Sequence, residues 1–204
     1  MGEEDTVQVE TRTTPYHGYM RLDIYKFRHR VFDRGWSDDI SREVVERGHV
    51  VAVLPYDPVR DEVVLLEQFR IGAYTSPGMS PWQIECVAGI IEPHQTTLEA
   101  AAREMEEETG ARAVGDLEPI HTYLTSPGFT SESICMYCGR VDADGIGGVY
   151  GLAHEGEYIR VFTASADEAF RLLDSGRIEN GMTIIALQWL RHHRARLLEK
   201  WSDD

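Results

Sequence analysis

Between Thr96 and Gly110 the chain carries its own instructions for a helix, and that helix limits what the surrounding residues can build. Thr96 is followed three residues later by Glu99, the capping-box spacing in which each side chain satisfies the other residue's backbone N–H. Gly110 is the residue type that ends a helix in the left-handed conformation, so about three turns fit between the two signals. Along them Leu98, Ala101, Ala102 and Met105 form an apolar face, while Glu104, Glu107 and Glu108 recur at spacings of three and four and share another. The run 83–91 immediately before reads as a strand, so the local unit is strand, loop, helix.

Like charges four residues apart destabilise a helix by roughly 0.2 to 0.5 kcal/mol, so the Glu104/Glu108 pair works slightly against folding unless a cation lies between them. Oxygen ligands of this kind suit Mg2+ or Mn2+, which keep several waters and meet a substrate's phosphates in the same coordination sphere. On residue type alone, a solvated acidic helix face accounts for the same pattern.

Gly89 and the run Arg103, Glu104, Met105, Glu106, Glu107, Glu108, Thr109, Gly110, Ala111 stand at the spacing of a known signature, and on these residues the chain resembles the Nudix hydrolases. The Arg-Glu-x-x-Glu-Glu core of that signature is complete in Arg103, Glu104, Glu107 and Glu108. One departure is present: the box usually places a glutamate where this chain has Gln95, whose amide can hydrogen-bond but carries no charge. The resemblance extends from Tyr16 to Trp201 and is closest to the bacterial ADP-ribose pyrophosphatases of the family. It is carried further by Tyr16, His17, Gly18 and Tyr19, by 46–49 with 55–62, by 126–132 and by 151–157.

The remaining elements read as follows. Residues 7–31, with Met20, Leu22, Ile24 and Tyr25, suggest a small antiparallel sheet, turned by a loop at 33–36. Runs 50–55 and 62–66 are strong strands joined by a turn at Asp57, Pro58 and Asp61. Further strands fall at 117–124, 133–141 and 158–164, a second capping box at Ser165 and Glu168 opens a helix to about 173, and a last helix runs over about 182–201. This order argues an α+β fold or a three-layer α/β/α sandwich, and the Nudix resemblance favours the sandwich with mixed sheets. A small N-terminal antiparallel β extension is expected at 1–46, and the catalytic domain at 47–204.

A chain of 204 residues buries one good core and a small appended unit. Its net charge of -15 argues against a nucleic-acid-binding surface. No stretch approaches the length of a membrane span, and Met1, Gly2, Glu3, Glu4 and Asp5 lack the basic and apolar regions of a signal peptide, so a soluble cytoplasmic protein without membrane contact is expected. Three cysteines point to free thiols; Cys135 and Cys138 lie in a strand at an odd offset, which sends them to opposite faces, one buried and one partly exposed. His192 and His193 read as solvated residues of the last helix.

Hydrolysis of a pyrophosphate needs cations on the phosphate oxygens, a water aligned for in-line attack and a group that takes its proton. The resemblance implies Glu104, Glu108, Glu157 and the Ala88 backbone carbonyl as ligands of Mg2+ or Mn2+, with Glu107 beside them. It implies Glu155 as catalytic base, or Glu155 and Glu157 with these roles exchanged, and it puts Arg103 and Glu107 in the catalytic set. Arg70 resembles the pyrophosphate-binding arginine, a role suited to its fork; the alternative is a surface ion pair. The 126–132 loop, with Gly128 and Glu132, is expected to touch substrate, and Tyr19 and Arg42 to stack on adenine from the extension of a second subunit. A homodimer with composite active sites, acting on a nucleoside diphosphate sugar, follows from the resemblance. ADP-ribose, split to AMP and ribose 5-phosphate, is the leading substrate. The same chemistry on another such sugar, GDP-mannose among them, and binding without cleavage, hinted at by Gln95, are the alternatives.

Overall fold

The computed structural model describes residues 6–32, 35–151 and 156–202. They fall into two compact units, Met1–His49 with Tyr123–Ser133, and Val50–Thr122 with Ile134–Asp204.

The larger unit is built on β5 (Val50–Asp57), a strand whose eight residues are all buried. It pairs in parallel with β10 (Ser133–Arg140) and antiparallel with β8 (Val87–Ile90), and its last two residues pair with β6 (Glu62–Phe69). The sheet continues through β12 (Ile159–Ser165) to β11 (Gly148–Tyr150) on one side and ends at β9 (Glu118–Leu124) on the other, with β7 (Trp82–Glu85) on β6. A strand buried on both faces reads as an unbroken apolar run, which is why 50–54 shows no alternation. On one face Val51 and Val53 join Ala100, Ala101 and Met105 of α2 (Thr97–Thr109) in the core. On the other, α4 (Gly181–Ser202) packs on β5 and β7, with Trp201 against Tyr56, and α3 (Ala166–Asp174) packs on α4. Helix, sheet and helix make the expected α/β/α sandwich.

Asp57 holds the β5–β6 turn: one carboxylate oxygen accepts the backbone N–H groups of Val59 and Arg60 at 2.8 and 3.0 Å, and the other accepts that of Ala143 at 2.9 Å. Cys138 is buried, Cys135 is partly exposed, and all three cysteines are free thiols. No helix among the described residues is long and apolar enough to cross a membrane.

The smaller unit centres on β2 (Arg21–Val31), paired antiparallel with β1 (Val7–His17), β3 (Gly35–Trp36) and β4 (Ile40–Glu46). The β4 strand was not anticipated, because Ser41, Arg42 and Glu43 are polar and exposed. Asp23 of β2 is buried beneath Arg12, Thr14 and Arg21, and the Thr14 hydroxyl and the two guanidinium groups hold its carboxyl below the usual range despite the burial. Every residue of β1 is exposed.

Candidate active site

The helix caps form as the sequence dictates. The Thr96 hydroxyl accepts the Glu99 N–H at 3.2 Å, the Glu99 carboxylate accepts the Thr96 N–H at 2.8 Å, and Gly110 closes α2 at φ 69°. The rotation of the helix differs from the apolar-stripe reading. Ala100, Ala101 and Met105 are buried, but so are Glu104 and Glu108, while Leu98 and Ala102 face solvent. The acidic face is therefore turned inward, toward β8, and the solvated-face reading fails for these two residues.

Glu104 and Glu108 differ from Glu107, which does not converge with them. Its side chain is 45% exposed and accepts from Arg103 Nη1 at 2.8 Å. Arg103 also reaches Glu104 at 2.8 Å and donates to the Ile90 carbonyl at 3.1 Å, which ties α2 to the end of β8. Gly89 is glycine for a steric reason: a Cβ there would overlap the Glu104 carboxylate. Next to it, the Ala88 N–H donates to Glu108 at 3.1 Å. The pair of carboxylates thus lies over the Ala88 and Gly89 backbone of β8, which is separated from β7 by a one-residue break at Cys86.

Burial pushes the Glu108 carboxyl up to about 8, with the Ala88 hydrogen bond opposing and the charges of Glu104 and Glu157 adding. Burial also raises Glu104, against the pull of Arg103. Glu157, half-buried, acts on both, so three carboxylates share one field although, among the described residues, no three close around a single point. Oxygen donors held dry and in mutual repulsion fit a hard divalent cation, which would remove both penalties. Gly151, at φ 98°, stands beside Glu157: a Cβ there would lie 2.9 Å from the Glu157 carbonyl oxygen. Glu155, the expected catalytic base, lies outside the described residues.

Arg70 directly follows β6 and is ion-paired, but to a buried partner. Its Nη2 donates to Glu85 at 2.7 Å and its Nε at 3.1 and 3.2 Å. Burial would lower the Arg70 pKa; the hydrogen bonds and charge of Glu85, with Glu108 and Glu157 behind, outweigh it and the net shift is upward. The same field thus reaches Arg70 and the helix carboxylates.

In the smaller unit, the 126–132 loop is fastened to β4: Phe129 accepts the Val45 N–H at 2.7 Å and the Thr130 hydroxyl donates to the Val45 carbonyl at 2.9 Å. Gly128 is open at its tip, and Glu132 is paired with Arg47 at 3.1 Å. Tyr19 is 82% exposed in the β1–β2 turn. Arg42 lies on β4 opposite Tyr25, four residue steps or about 13 Å of strand from Arg21, where β2 leaves the turn that holds Tyr19.

The NUDIX domain model matches residues 46–204. The chain belongs to the Nudix family. Over 201 residues, 98% of this chain and 95% of the relative, it is 44% identical to the ADP-ribose pyrophosphatase of Escherichia coli K12. It is 36% identical over the same length to that of Haemophilus influenzae, covering 98% of this chain and 92% of the relative. A GDP-mannose pyrophosphatase of Pectobacterium atrosepticum is 33% identical over 150 residues, 72% of this chain and 75% of the relative. A crystal structure of an ADP compounds hydrolase superposes with a TM-score of 0.68 at 17% identity, covering 92% of this chain and 96% of that one, which supports the Nudix fold.

Within this Nudix box, Gln95 does the local work of an acceptor. Its side-chain oxygen accepts the Glu92 N–H at 3.2 Å and lies 3.5 Å from Arg103 Nη2, closing the loop without a charge. The Nudix signature carries no hint of Glu85, which pairs with Arg70, or of Gln68 and Asn180, which donate to Glu85. The available signal was an acid inside an otherwise buried strand run, a residue that requires partners.

Proposed function

We propose that this Nudix protein is a divalent-metal-dependent ADP-ribose pyrophosphatase, releasing AMP and ribose 5-phosphate. The observation that carries this reading is the inward-turned Glu104 and Glu108 pair over the Ala88–Gly89 backbone, in the same field as Arg70. The likeness to ADP-ribose pyrophosphatases over nearly the whole chain supports the substrate. Glu104, Glu108, Glu157 and the Ala88 carbonyl would hold Mg2+, or Mn2+ in its place, and a bound ion would supply charge neutralisation at the phosphate oxygens and a more acidic water. Arg70 grips the pyrophosphate through its remaining donors, and Arg103 keeps Glu104 and Glu107 in place. A water adds to one phosphorus in line with the bridging P–O bond that breaks, and Glu155 accepts its proton.

The smaller unit holds the nucleoside in this reading. Tyr19 and Arg42 contact the adenine, the loop with Gly128 and Glu132 borders the site, and a homodimer brings these contacts from a second copy. An edge strand of eleven residues that buries none of them, as β1 does, supports such a partner. The working location is the cytoplasm.

The test is product analysis with ADP-ribose and with GDP-mannose, in Mg2+ and in chelator. AMP released only with metal is the expected result. Faster release of GMP from GDP-mannose would overturn the substrate, and saturable binding of ADP-ribose without product would overturn the enzyme.

A further inference from the structure

The break at Cys86 divides one run of chain into two jobs. Beyond it, Ala88 and Gly89 face the helix carboxylates; before it, Glu85 faces Arg70. Glu85 is only 2% exposed, and both its oxygens are fully engaged. One accepts Arg70 Nε and Asn180 Nδ2, each at 3.1 Å. The other accepts Arg70 Nη2 at 2.7 Å and Gln68 Nε2 at 3.1 Å. Asn180, just ahead of α4, is itself fixed: its carbonyl oxygen accepts the Thr183 N–H and hydroxyl, both at 3.1 Å, and the Thr183 oxygen accepts the Cys86 N–H at 2.9 Å. The start of α4 therefore braces the Cys86 backbone and the Glu85 carboxylate together.

A carboxylate so saturated has no lone pair to spare for a cation. What it does is engage one edge of the Arg70 guanidinium, the Nε and Nη2 side, and fix the plane of the group. Nη1 has no hydrogen-bond partner among the described residues, and the Arg70 side chain is 43% exposed. A long arginine at a strand end would otherwise sample many rotamers, and each one lost on substrate binding would weaken it.

We infer that Glu85 is a positioning residue: it holds Arg70 with one edge occupied and Nη1 presented, so that the arginine meets a pyrophosphate already oriented. This rests on the reading of Arg70 as the pyrophosphate contact. Gln68 and Asn180 keep the carboxylate from turning with its cargo.

The test is a double-mutant cycle on ADP-ribose hydrolysis with Arg70→Ala, Glu85→Gln and the pair, reading kcat and KM separately. Arg70→Ala is expected to lower kcat/KM about a hundredfold, and Glu85→Gln about tenfold, chiefly through KM; in the Arg70→Ala background Glu85→Gln changes it by less than about twofold. An equal tenfold loss in both backgrounds overturns the positioning role, because a merely structural residue costs the same whether or not Arg70 is present. An Arg70→Ala enzyme with native kcat/KM overturns the reading of Arg70 as well. If Glu85→Gln does not fold, Glu85→Asp, which keeps the charge and withdraws it by one methylene, enters the same cycle and the same two results decide.

Discussion

Glu85 and Glu108 are acids of the same unit, both buried, one before the break at Cys86 and one bonded to the backbone just after it, and the difference between them is in their partners. Four N–H donors from three side chains reach Glu85. Glu108 accepts one backbone N–H and is set among Glu104 and Glu157, like charges. A buried carboxylate with a full set of donors is a finished piece of structure. One with a single donor and like-charged neighbours carries a conflict that a bound cation or a proton would relieve, and the proposed metal site is the first of these.

Four changes strain that contrast, in order of expected size. Glu108→Gln removes a proposed metal ligand and is expected to lower kcat on ADP-ribose about a thousandfold in saturating Mg2+. The same variant should do the opposite to the metal-free fold. The Glu108 pKa is raised in the folded state, so the folded protein holds this proton more tightly than the unfolded chain. Its contribution is intact near the ordinary carboxylate value and is lost as pH rises through about 8. Denaturant unfolding in chelator should therefore show the native protein losing about 3 kcal/mol relative to Glu108→Gln between pH 5.5 and 8.5. Glu85→Gln, by contrast, destabilises, because its amide turns a donor toward Arg70. Gly89→Ala, whose methyl group displaces Glu104, should reduce kcat/KM about thirtyfold while the melting temperature in chelator moves by only a few degrees. Gln95→Glu, at a loop position where Gln95 already serves as acceptor, should change kcat/KM by less than about threefold.

What the sequence made legible was what short range decides. Thr96, Glu99 and Gly110 announce α2 because their partners are within four residues, and 50–54 and 62–66 announce core strands because β-branched and aliphatic runs leave no polar face. The rotation of α2 was not legible from hydrophobicity. Leu98 is exposed and Glu104 and Glu108 are buried, an inversion that a metal-binding role explains and an apolar stripe does not. The run 83–91 reads as one strand, since nothing local says that β7 pairs with β6 and β8 with β5. Short α1 (Ile71–Thr75), with Gly72 inside and no buried residue, leaves no pattern to detect. Glu85 was invisible for the plainest reason: its partners are at 68, 70 and 180, and only the folded sheet brings residue 180 to it.

The most direct test of the contrast is Mn2+ binding, followed by electron paramagnetic resonance of the free ion, for the native protein, Glu85→Gln and Glu108→Gln at pH 8. The native protein and Glu85→Gln should bind with dissociation constants within about threefold of each other, and Glu108→Gln about a hundredfold more weakly. Equal weakening in both variants, or undiminished binding by Glu108→Gln, would contradict the assignment of one carboxylate to the ion and the other to the arginine.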